Sequence, residues 1–98
     1  MANICSNTLQ VISDNPKNHE YVKEFFNKEW GSCDVEEIMD GTTEYYFDSK
    51  WTFPDLEMNK LYKGIPDKDD IDMACLSVEW GCRYCAFHEC DFDGWTEC

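Results

Sequence analysis

Strand, helix, hairpin, helix, hairpin is the order of elements legible along these 98 residues, and it predicts an α+β protein. Split β-α-β units in that order form a ferredoxin-like sandwich: a mostly antiparallel sheet of about five strands with two helices on one face, here spanning residues 1–98 as one domain. Three observations carry the prediction. Apolar residues alternate in 4–12 and 71–80, they recur at three- and four-residue spacing in 21–26 and 58–65, and Asp40-Gly41 separates two strand-forming runs.

Ile4 to Ile12 sets Leu9 and Val11 on one alternation and reads as the first strand. Asp14-Asn15-Pro16 breaks it and starts a helix, with Asn15 as N-cap and Pro16 at the first helical position. Tyr21, Val22, Phe25 and Phe26 form its apolar stripe, and Gly31 stops it after Trp30. Val35 to Met39 and Thr42 to Trp51 flank the Asp-Gly turn, and the second run is rich in β-branched and aromatic residues. Thr52-Phe53-Pro54-Asp55 has the form of a capping box and opens a second helix with the stripe Met58, Leu61, Tyr62 and Ile65. Gly64 and Pro66 end it. Beyond the charged loop Asp67-Lys68-Asp69-Asp70, Ile71 to Trp80 alternates, Gly81 turns the chain, and Tyr84 to Phe92 returns as the final strand.

Charge decides which functions fit. There are 21 acidic and 8 basic residues, a formal net charge of −13. Phosphate contacts need clustered Lys and Arg, so nucleic acid held on a broad basic face is ruled out, and direct nucleic-acid binding and docking on anionic membranes are disfavoured on the same ground. Met1 to Asn7 has no basic and apolar leader pattern, and no apolar run approaches the roughly 18 residues of a membrane span. With no export signal, seven cysteines read as free thiols in a reducing cytoplasm.

The carboxylates cluster. Residues 29–48 hold seven of them and no Lys or Arg, Asp67, Asp69, Asp70 and Asp72 form a second group, and Glu89, Asp91 and Asp93 a third. Alternate strand residues lie about 6.8 Å apart on one face, close to twice the axial phosphate spacing of about 3.4 Å along one DNA strand. A solvated surface that keeps a small protein soluble is the bland reading, and crowded like charges also cost stability. The sharper reading is a binding surface for a basic groove. Its candidate contacts are Glu36, Glu37, Asp40, Glu44 and Asp48 around the hairpin, with Asp69, Asp70, Asp72, Asp91 and Asp93.

Catalysis finds no comparable support. Cys82, Cys85, His88 and Cys90 hold four potential zinc ligands in nine residues, but strand alternation turns Cys85 away from His88 and Cys90. A zinc-stabilised interaction module built on this hairpin is the alternative reading. Neither His19 nor His88 is tied to a nucleophile by a local signature, and no phosphate loop, nucleophile elbow or zinc-protease motif occurs. The chain reads as a non-enzyme with no cofactor. Among its strand aromatics, about half pack in the core and the rest stay exposed as anchors.

Asn3-Ile-Cys-Ser-Asn-Thr-Leu9, Phe47-Asp-Ser-Lys-Trp-Thr-Phe-Pro54, Glu79-Trp-Gly81 with Cys85 and Phe87, and Asp93-Gly94 together resemble the YubB ferredoxin-like domains. The resemblance implies a protein carried by phages or plasmids and brings no catalytic residues. The joint expectation is a cytoplasmic inhibitor of anti-CRISPR or anti-restriction type. Its partner is a basic nucleic-acid-binding protein of the host, such as a CRISPR effector or restriction nuclease, whose channel it fills.

Overall fold

The computed structural model describes residues 4–31, 33–81, 83–91 and 93–98. In β1 (Ile4–Ile12) buried and open side chains alternate, and Cys5, Asn7, Leu9 and Val11 turn to the buried side. β3 (Thr42–Lys50) and β4 (Asp72–Glu79) flank it, both antiparallel. β2 (Asp34–Met39) pairs outside β3, β5 (Tyr84–Asp91) outside β4, and β6 (Gly94–Glu97) outside β5. The result is one antiparallel sheet in the order β2-β3-β1-β4-β5-β6. With α1 (Pro16–Trp30) and α2 (Asp55–Gly64) it is an α+β fold consistent with a ferredoxin-like arrangement.

The stripes of both helices enter one core. Val22 and Phe26 of α1 and Met58 and Leu61 of α2 are buried with Leu9, Val11, Tyr45, Phe47, Met73 and Cys75 of the sheet. Phe26 is the centre of an aromatic stack, with ring centroids 4.9 Å from Trp30 and 4.6 Å from Tyr45. Such pairs add to the burial of their area.

Asn18 ties the layers together. Fully buried on α1, it sets its Nδ2 within 3.1 Å of Ser13 Oγ, the Asp67 carbonyl and the Asp70 carbonyl. Its Oδ1 accepts from the Asp67 N–H at 3.0 Å. The loop that carries the chain from α2 into β4 therefore satisfies its backbone on a side chain of α1.

Several sequence expectations hold locally. Asn15 caps α1 by accepting from Lys17 N–H at 2.9 Å, Pro16 opens it, and Gly31 ends it at φ 74°. The Asp40-Gly41 turn joins β2 to β3, with Gly41 at φ 80°.

Three expectations are corrected. The sheet has six strands, because the final strand stops at Asp91: Asp93 N–H bonds Asp91 Oδ1 at 2.8 Å, Gly94 takes φ 105°, and the chain folds back as β6. Phe92 lies outside the described residues. Thr52 does not cap α2, since its hydroxyl contacts the Phe53 carbonyl at 3.4 Å and Pro54 stands at the N-cap without a side-chain bond. Asp55 and Glu57 meet the positive end of that helix instead. Finally, β3 ends at Lys50, because Trp51 adopts φ 69° and turns the chain out of the sheet.

Two substitutions test this packing by denaturant unfolding. Asn18→Ala strands the Asp67 N–H and removes a three-way donor, with an expected loss of about 3 kcal/mol. Gly64→Ala directs a methyl into the Tyr21 ring. It is expected to destabilise by about 1–3 kcal/mol, the reverse of the gain that Gly→Ala gives on an open helix face.

Candidate protein-interaction surface

Both helices pack on one face, so the other face of the sheet has no covering layer. The register places its residues. Ile4, Ser6, Thr8, Gln10 and Ile12 of β1 stand opposite Lys50, Asp48, Tyr46, Glu44 and Thr42 of β3. Ser6, Thr8, Gln10 and Ile12 also stand opposite Val78, Leu76, Ala74 and Asp72 of β4. Pairing extends the face outward to Asp34 and Glu36 on β2, and to Cys85, Phe87 and Glu89 on β5, with Asp91 by alternation. Its apolar side chains run along β4 and β5, where Leu76 and Phe87 are exposed, while β1 sets Ser6, Thr8 and Gln10 between exposed Ile4 and Ile12 at its two ends. Carboxylates stand on both sides of β1, Asp34, Glu36, Glu44 and Asp48 across β2 and β3, and Asp72, Glu89 and Asp91 across β4 and β5.

Helix boundaries show where the charge resides. α1 carries three Lys and three Glu, and α2 two Lys with one Asp and one Glu. Each helix is neutral, so the whole formal charge of −13 falls on strands and connections. Glu29 of α1 is paired with Lys60 of α2 at 3.8 Å.

Of the ten candidate contacts, five share the open face: Glu36, Glu44, Asp48, Asp72 and Asp91. Glu37 and Asp40 turn toward α1 and line a groove of about 860 Å³ between that helix and the β2–β3 hairpin. Asp69 and Asp70 belong to a short 3₁₀ turn, Lys68–Asp70, where the Asp70 carboxylate accepts from Asp14 N–H at 3.5 Å. Asp93 sits in the β5–β6 turn, which breaks the expected row of Glu89, Asp91 and Asp93 on one strand. Asp34 and Glu89 are open-face carboxylates left out of the candidate set, although each lies two residues from a chosen one.

Tyr46 organises the hairpin charges. Its hydroxyl lies 2.6 Å from Glu44 Oε1 and 3.2 Å from Glu36 Oε2, and Gln10 Nε2 reaches Glu44 Oε2 at 3.3 Å. The hydrogen bond to Glu44 leads the causes that push the phenol far above its usual ionisation range. Desolvation, the charge of Glu44 and then Glu36 add to it.

Among the described residues, the cysteines and histidines do not converge on a reaction centre. Burial pushes the Cys75 and Cys90 thiols up to about 12 and raises Cys5, which keeps them protonated and poorly nucleophilic at neutral pH. Of the zinc candidates, Cys82 lies outside the described residues, and exposed Cys85 faces away from buried His88 and Cys90. Among the described residues, no group of three His, Cys, Asp or Glu is placed to hold a metal. His88 stacks on Phe53 at 3.7 Å, with Nε2 3.5 Å from Glu97 Oε1, and His19 Nε2 lies 2.8 Å from the Ser13 carbonyl oxygen. Tyr45 and Phe47 are core residues, whereas Trp51 and Trp80 are exposed. No described helix is long and apolar enough to cross a membrane.

No protein family, curated protein or solved structure matches the chain.

Thiol burial yields a pH prediction. Cysteines in the unfolded chain ionise at about 8.5, and burial pushes folded Cys75 and Cys90 up to about 12, so the folded chain retains those protons. Their contribution to stability is complete below the unfolded value and is lost as pH climbs toward the folded one. Denaturation midpoints should therefore fall through that alkaline window. At neutral pH a thiol reagent should label Cys85 and Cys98 before Cys5, Cys75 and Cys90, and equal rates would contradict the burial.

Proposed function

We propose that this chain is a non-catalytic acidic binding protein that occupies the basic nucleic-acid channel of a partner enzyme and keeps DNA or RNA out. The observation that carries the reading is the separation of charge: neutral helices on one side, and an uncovered sheet face on which carboxylates stand around exposed apolar side chains. A groove built for phosphates presents clustered Lys and Arg, and a carboxylate array complements it without chemistry. Long-range attraction speeds the encounter and is screened by salt, while exposed apolar side chains such as Leu76 and Phe87, desolvated on docking, hold the complex.

The ferredoxin-like arrangement serves as a scaffold in this reading, since a paired sheet holds its carboxylates at set spacing. The motif resemblance to YubB ferredoxin-like domains supports a phage or plasmid setting, a host-cell cytoplasmic location, and a CRISPR effector or restriction nuclease as target.

Pull-down of tagged protein from nuclease-treated bacterial lysate, at low and moderate salt, tests the reading. The expected result is a nucleic-acid-processing enzyme that added DNA or RNA competes away. Capture indifferent to salt and nucleic acid would return the carboxylates to a solubility role. In an inhibition assay on the captured enzyme, the combined Glu36→Lys, Glu44→Lys and Asp48→Lys variant should lose at least about tenfold in potency at physiological salt. Full potency in a folded variant removes the hairpin from the interface.

A further inference from the structure

We propose that β2 is a docking edge for an extended, Lys- or Arg-bearing segment of the partner protein, which joins the sheet as a further strand beside α1. The inference rests on the reading of a cationic partner and specifies how part of that partner is held.

The backbone gives the first reason. β2 ends the strand order, and among the described residues it pairs with β3 alone. One side of its ladder therefore faces outward, a template for another strand. All six of its residues are exposed. The opposite edge differs: β6 has four residues, and its Trp95 donates from Nε1 to the Met58 carbonyl of α2 at 2.8 Å. A short strand with α2 packed on its inward side offers fewer backbone groups than β2.

Space gives the second. β2 stands beyond the cover of α1, which leaves Val35 47% exposed on the helix side. The groove of about 860 Å³ runs between them, with Val35 and Tyr45 as apolar lining and His19, Lys23 and Glu37 among its polar groups. Side chains from one face of an added strand have room there, and those of its other face lie over the open side of the sheet.

Charge selects the occupant. Asp34 and Glu36 face the open side, Glu37 faces the groove, and neither β2 nor its turn holds a Lys or Arg. A segment with cations on both faces meets a carboxylate on each. A second copy of this chain brings carboxylates against carboxylates, so the charges that prevent self-pairing also admit a basic strand.

The test uses the full chain and an acetylated seven-residue peptide alternating Lys and Val, with a Glu–Val peptide as control, read by residue-resolved amide exchange. At saturation with the Lys–Val peptide, outward amides of residues 34–39 should exchange at least about tenfold more slowly, with no change from the control. Combined Asp34→Lys and Glu37→Lys substitution should abolish the protection while the remaining amides keep theirs. The proposal is overturned if the peptide does not bind at low salt, if protection falls on β1 and β4 instead, or if the double variant retains it. It is also overturned if β2 is protected without peptide as protein concentration rises, since the occupant is then a second copy. Peptide held over the open face alone overturns the edge but leaves channel filling standing. Protection at β2 in a chain that blocks no nucleic-acid enzyme does the opposite.

Discussion

Two helices can roof only one side of this sheet, and most of the structure follows from that limit. α1, at 15 residues, is about 22 Å long, and six strands place the outer ones about 24 Å apart. With both helices on the same side, a single core forms between them and the inward residues of β1, β3 and β4. The other side must live in water, so its strands alternate apolar and polar residues where a doubly covered sheet would read as continuous apolar runs. The same limit leaves β2 projecting past α1.

Electrostatics follow this division. The lysines that α1 and α2 carry are matched one for one by their own carboxylates, which suits two helices lying side by side and joined by Glu29 and Lys60. The strands carry ten carboxylates against one lysine, Lys50. There, carboxylates on β2 and β3 approach closely enough that the Tyr46 hydroxyl lies within reach of both Glu36 and Glu44. Neighbouring carboxylates that outnumber the local cations raise the free energy of the folded chain.

The reactive residue types are mostly spent on structure. Cys5, Cys75 and Cys90 act as small core hydrophobes, His88 is a ring stacked beneath Phe53, and Asn18 replaces backbone pairing for an irregular loop. What remains exposed is charge, a few large apolar side chains and the thiols of Cys85 and Cys98.

Much of this was legible locally. Asn15 and Pro16 start α1, Gly31 ends it and Asp40-Gly41 closes a hairpin, because capping and turn chemistry involve residues only a few positions apart. Thr52 had the right neighbours for a cap and did not become one, since Trp51 at φ 69° and Pro54 set a different entry to α2. The break before β6 depended on Asp93 bonding Asp91 and on room for another strand beside β5. By itself, the sequence determined the element types, the acidic excess and the inward alternation of Leu9 and Val11. Only the tertiary structure decided that Glu36, Glu44, Asp48, Asp72 and Asp91 share one face while Glu37 and Asp40 turn to a groove. The face a strand residue occupies is set by register with strands distant in sequence, and the side left open is set by where the helices pack.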